Sequence, residues 1–193
     1  MKKIIMFLMA SVLLLEATSC TSCNQEKQKM ETVVEKTIKS DRAYMCENHG
    51  CVYVWYETTI TLNDFLDAEG CDGTVLGVSN VFQSETEDAE GYETIVTIFT
   101  HTADAMKVTE TPGHWIEDFA LDTADITLTY RQAYERMQRS NYKKPHSRFC
   151  VLRKEVGPVP CNPQYIFGNQ QGQIYVDAKT GAVTDNNPAF YRK

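Results

Sequence analysis

Residues 51–61 read CVYVWYETTIT, where nine of eleven positions are β-branched or aromatic. Such a run suits a pleated, half-buried strand and resists a helix, because branching at Cβ restricts χ1 against the preceding turn. Similar runs recur at 74–83, 92–101, 148–156, 164–167 and 173–176. In 92–101, Ile95, Val96, Ile98 and Phe99 put apolar groups on both faces, as a central strand would. The acidic stretch SETEDAEG joins 74–83 to 92–101 as a hairpin tip. A chain with this many strands must cover a sheet with helices or a second sheet.

The clearest helix spans 129–139. Tyr130, Ala133, Tyr134 and Met137 fall at i, i+3, i+4 and i+7, one buried stripe. Thr129 and Gln132 have the spacing of a capping box, and Leu128 can staple over Ala133. Arg131, Glu135 and Arg139 stand four apart on the outer face and can pair. A shorter helix is expected over 62–69, LNDFLDAE, with Asn63 as N-cap. Residues 103–125 read as an irregular connector pinned by Trp115, Ile116 and Phe119, and 157–163, with three prolines, as a stiff link. The expected class is α+β, an antiparallel β-sheet with helices packed on one face. Ile60-Thr61-Leu62-Asn63 and Ile126-Thr127-Leu128-Thr129 echo each other, which suggests a degenerate duplication of a helix-plus-hairpin unit.

Lys2 and Lys3 precede an apolar run from Ile4 to Leu15, the layout of a secretory signal peptide over 1–19. Ala17-Thr18-Ser19-Cys20 resembles a bacterial lipobox, which would leave Cys20 diacylated and N-terminal. Cleavage without lipid is the alternative. A polar tether over 20–42, partly helical, would then carry the body from Tyr44 onward, in the periplasm or facing outward from the cell surface. Anchoring would be through lipid.

Seven cysteines occur, and removing Cys20 for lipid leaves six, an even number suited to an oxidising compartment. Cys46-Glu-Asn-His49-Gly-Cys51 is either a short disulfide-closed turn or two thiolates and an imidazole of a metal site, completed by Cys71. The spacing matches no zinc pattern, so the bridge is expected, with no metal and no cofactor. Cys150 and Cys161 form a second candidate pair, and Cys23 and Cys71 a third. The carboxylates of 85–90 lack the spacing of a calcium loop and are expected to be a solvated tip.

Charge divides the chain. Residues 43–126 hold seventeen Asp/Glu against Lys107 alone, whereas 127–193 hold eleven Lys/Arg against four Asp/Glu. Two regions follow, an acidic α+β region over 43–124 and a basic one over 125–193. Opposed halves can clamp together or drive self-assembly of a structural surface protein. The cluster Arg136, Arg139, Lys143, Lys144 and Arg148 is either a solubilising surface or suits anionic lipid headgroups, glycans or an acidic partner; nucleic acid is not expected for an exported chain. No HExxH, GxSxG, Walker or GxGxxG motif occurs, so a non-catalytic role is expected.

The basic region also carries a helix opening Leu128-Thr129-x-x-x-Ala133, then Tyr165-x-Phe167, then Tyr175-Val176-Asp177-Ala178-x-Thr180-Gly181-x-Val183. This series resembles the PepSY domain over about 125–185. The resemblance implies a small α+β, non-catalytic module that restrains peptidases or holds partners at the cell surface. No peptidase follows it here, and the prolines and cysteines between its strands depart from the family pattern. Contact is expected at the basic residues around the helix and at the 177–181 hairpin, with Asp177 and Gly181 holding the turn.

Overall fold

Ile60 pairs across the backbone with Val78 on one side and Cys150 on the other. Val78 in turn faces His101, Cys150 faces Phe167, and Phe167 faces Ile174. One row of side chains therefore crosses six strands on a single face, because directly opposed residues share a side of a sheet. The computed structural model in which this row is seen describes residues 32–88 and 91–191. The expected signal peptide, Cys20, Cys23 and the start of the tether lie outside the described residues, as does the hairpin tip at 89–90.

The strands are β1 (Tyr53–Leu62), β2 (Val75–Asp88), β3 (Gly91–His101), β4 (Met106–Pro112), β5 (Asp118–Phe119), β6 (Phe149–Glu155), β7 (Gln164–Asn169), β8 (Gly172–Asp177) and β9 (Val183–Thr184). They form an antiparallel sheet in the order β4-β3-β2-β1-β6-β7-β8-β9, with β5 laid along the end of β6. Two helices, α1 (Val33–His49) and α2 (Tyr130–Arg139), cover one face. α1 packs on β1 and β2, and α2 on β7 and β8. The class is thus α+β, mostly sheet. Residues 31–193 form one unit, so the acidic and basic regions share one core.

A bulge at Tyr56 shifts the β1–β2 register between Trp55 and Glu57. Trp55 and Thr58 therefore both turn inward, although strict alternation would oppose them. Trp55, Phe82, Phe99, Leu152, Tyr165 and Phe167 fill the layer between sheet and helices. Ring edges meet ring faces at Tyr44–Phe99 and Phe82–Phe99, with centroids 5.2 and 5.7 Å apart.

Four expectations are corrected. The body starts at α1, not near Tyr44: Val34, Thr37, Asp41 and Met45 make a buried stripe, and Gly50 closes the helix at φ +66°. Residues 63–69 are turns, because Leu66 N–H donates to the Ser147 carbonyl at 2.8 Å and Arg148 donates to the carbonyls of Leu62 and Asn63. These cross-chain bonds take the backbone groups a helix would use. The connector contains strand β4, paired to β3 along its whole length. Within that connector Ile116 is 82 % exposed and Phe119 half exposed, and the pinning is done by buried Asp118 with Trp115.

Candidate functional site

α2 begins as its capping box requires: Thr129 N–H donates to Gln132 Oε1 at 2.9 Å, and Gln132 N–H donates to Thr129 Oγ1 at 3.3 Å. Its buried stripe is Tyr130, Ala133, Tyr134 and Met137. The two tyrosine hydroxyls reach out of the core to the carbonyls of Gly73 (2.9 Å) and Cys71 (2.8 Å), and Arg131 donates to Asp72 O at 2.6 Å. Gly73 lies so close that a Cβ there would stand 2.7 Å from the Tyr134 ring. The acidic turn at 71–73 is thereby moored to the basic helix.

The hairpin after β8 is held by Asp177. Its Oδ1 accepts the N–H groups of Lys179 (2.9 Å) and Thr180 (2.7 Å), and its carbonyl accepts Gly181 N–H at 2.8 Å. Burial pushes the Asp177 carboxyl up, but these bonds and Asn162 outweigh it and hold it below the usual range. Gly181 takes φ +76°, which a Cβ would strain. Arg136 closes over it, donating to Gly181 O at 3.2 Å. Helix and hairpin flank an open hollow of about 800 Å³ lined by Leu128, Gln132, Arg136, Arg139, Tyr142 and Val183.

The five basic residues named from sequence separate into three roles. Arg136 and Arg139 border the hollow, with Arg139 80 % exposed and 3.6 Å from Glu135; Lys143 is exposed. Lys144 is structural: its ammonium donates to the carbonyls of Met137, Ser140 and Tyr142 and caps the end of α2. Arg148 points elsewhere, tying down the end of β1 and lying over the Phe65 ring.

Cys46 and Cys51 form a disulfide. His49 turns away from it, with Nδ1 3.2 Å from Ser84 Oγ and Nε2 3.3 Å from Glu110. The serine–imidazole–carboxylate order resembles a catalytic relay, but Ser84 is 2 % exposed within β2 and cannot meet a substrate. It ties the end of α1 to β2 and β4. Among the described residues no group of three or more His, Cys, Asp or Glu could hold a metal ion.

The expected Cys150–Cys161 bridge is absent, and both thiols are free, as is Cys71. Cys150 sits in the buried row, whereas β7 returns beside β6 only at Gln164, opposite Arg153, with Cys161 before that point. Three residues of β6, about 10 Å of strand, lie between Cys150 and that point, beyond the roughly 7 Å Cα limit of a bridge. Burial pushes both thiols up.

Sequence reasoning did not find two buried polar clusters. Under α1, both oxygens of Asp41 lie 2.9 Å from His101 Nε2, and Asn80 donates to Asp41 at 2.7 Å. Thr58 then donates to Asn80 Oδ1 at 2.5 Å. Burial raises the Asp41 carboxyl, opposed by Asn80 and His101. On the opposite face, the side chain of Asp118 is wholly buried, accepts Trp115 Nε1–H at 3.3 Å, and stands 3.7 Å from Arg153 Nε. Burial pushes its carboxyl up to about 6 despite Arg153 and Trp115. Arg153 also pairs with Glu155. Together with His146–Asp67 (3.0 Å), Arg153–Asp118 joins the basic region to the acidic one.

The third feature that escaped is a cleft of about 500 Å³ between α1 and residues 123–129. Tyr53, Trp55, Leu152 and Tyr165 form its floor, with Ile38 on one wall and Leu128 on the other. Tyr165 OH donates to Leu128 O at 3.0 Å, and Leu121 N–H to Trp55 O at 2.7 Å, so wall and floor are tied. Comparison with family models, with curated proteins and with solved structures found no match to this chain.

Proposed function

We propose that this chain is a non-catalytic binding module of the bacterial cell envelope, anchored by lipid on Cys20. Its PepSY-like basic region would engage or inhibit a secreted or envelope protein, a peptidase among the candidates. The observation that carries this reading is the Arg136–Gly181 contact, which joins helix and hairpin into one face. Arg136, Arg139 and Lys143, with Glu135 as the one carboxylate beside them on α2, give that face a positive field suited to an acidic partner. The order helix, then four strands, occurs twice, as α1 with β1–β4 and α2 with β6–β9, and supports a degenerate duplication. Its units begin at α1 and α2, so the four-residue echo, which closes β1 in one case and precedes α2 in the other, is not its signature.

The test is capture from detergent extracts of the source envelope at moderate salt, comparing the chain with an Arg139→Glu/Lys143→Glu variant. A protein crosslinked to the first and lost from the second supports the proposal, and inhibition of a captured peptidase would extend it. Identical captures from both chains would count against the α2 face.

A structural, self-assembling role is the second reading. β4 is the sheet's outer strand in the acidic half, with Val108 alone among its side chains half-buried, so its free edge can pair with another chain. Sedimentation velocity showing concentration-dependent growth at low salt that vanishes at moderate salt, with no captured partner, would favour it.

A further inference from the structure

We infer that the cleft between α1 and residues 123–129 is a separate binding site for a monoanionic amphiphile, a long-chain carboxylate whose chain lies on the aromatic floor and whose head meets Lys39 and Arg42. The volume of about 500 Å³ falls within the roughly 300–1,000 Å³ of small-ligand sites. Ile38, Trp55, Ile126, Leu128 and Leu152 supply apolar surface, and burying an alkyl chain against it is favourable by area alone.

The lining points to an amphiphile, with apolar surface and charge on the same cleft. Glu35 on α1 accepts the N–H of Tyr130, a bond that joins the two walls. The α1 wall carries charge. Lys39 and Arg42 lie one turn apart on the α1 wall, and Arg42 Nε donates to Tyr53 OH at 3.2 Å. Among the described residues neither cation has a carboxylate within ion-pair distance. Glu35 is engaged by the N–H groups of Thr32 and Tyr130. Asp122 lines the adjoining hollow beside Arg42, where it accepts Ala124 N–H at 2.8 Å. An aromatic floor beside two cations on one wall matches a tail and an anionic head.

The experiment uses the full chain with Trp115→Phe, which leaves floor residue Trp55 as the only tryptophan. Dodecanoate, dodecanol and dodecyltrimethylammonium are titrated below their micelle concentrations while Trp55 emission is followed. Dodecanoate is expected to saturate at one molecule per chain and to bind about tenfold tighter than the ammonium compound. Exposed Lys39→Glu should weaken dodecanoate by about tenfold, and Ala43→Phe, which fills the cleft from α1, should abolish binding of all three. Equal affinity for the three heads, indifference to either substitution in a chain that melts normally, or no saturable change would overturn the assignment. Neither substitution touches the α2 face, so the outcome is independent of protein capture there.

Discussion

One carboxylate serves the start of both helices: Glu35 accepts the N–H of Thr32 at 3.0 Å on α1 and of Tyr130 at 2.8 Å on α2. First-turn N–H groups have no intrahelical partner, and a negative charge there also favours the helix dipole. Glu35→Ala should cost about 1–2 kcal/mol by denaturant titration. Glu35→Gln, which keeps the acceptor and loses the charge, should cost less. Equal losses for the two would assign the whole effect to the charge.

Asp41 is the hub of the network under α1. Asp41→Ala would leave Asn80 and His101 facing a cavity with their partner gone, and should destabilise by about 3 kcal/mol. The loss should appear in urea unfolding as a lower midpoint at unchanged slope.

Asp118 governs a pH dependence. Burial raises its folded carboxyl from 3.8 to about 6, so the fold favours the protonated form. That contribution is fully present below pH 3.8 and is lost as pH climbs through about 6. Asp118→Asn keeps an acceptor for Trp115 and removes the buried charge. It should raise the melting temperature near pH 7.5 and change little near pH 4. A lower melting temperature near pH 7.5 would show that Arg153 needs the carboxylate more than burial opposes it.

Alkylation followed by mass spectrometry should sort the body's cysteines. Cys46 and Cys51 should resist until reduced, half-buried Cys71 and Cys161 should react in the native state, and Cys150 should react only on unfolding. Native labelling of Cys150 would contradict its place in the buried row.

The sheet was largely legible because its strands alternate and its rings are dense, and α2 because stripe and capping box agree. α1 was read as a tether because its buried stripe holds Thr37 and Asp41, polar residues satisfied only by β2 and β3 or by their own helix. β4 escaped because an edge strand exposes nearly every side chain and shows no apolar period. Residues 62–69 have helical composition but give their backbone to Ser147 and Arg148, a tertiary override of propensity. The cleft has no sequence signature, since its lining runs from Glu35 to Tyr165. The 46–51 disulfide was legible because so short a loop leaves few other geometries.

The order of strands also bears on how the molecule reaches its native state. Each pairing joins consecutive strands, save one: β1 beside β6, where Thr59 stands opposite Val151. Each half can therefore zip from local contacts, and a single long-distance seam must close between them. The entropy of that closure is paid once, and its search sets the pace of folding. Weakening the seam should slow refolding far more than equal damage to an outer hairpin.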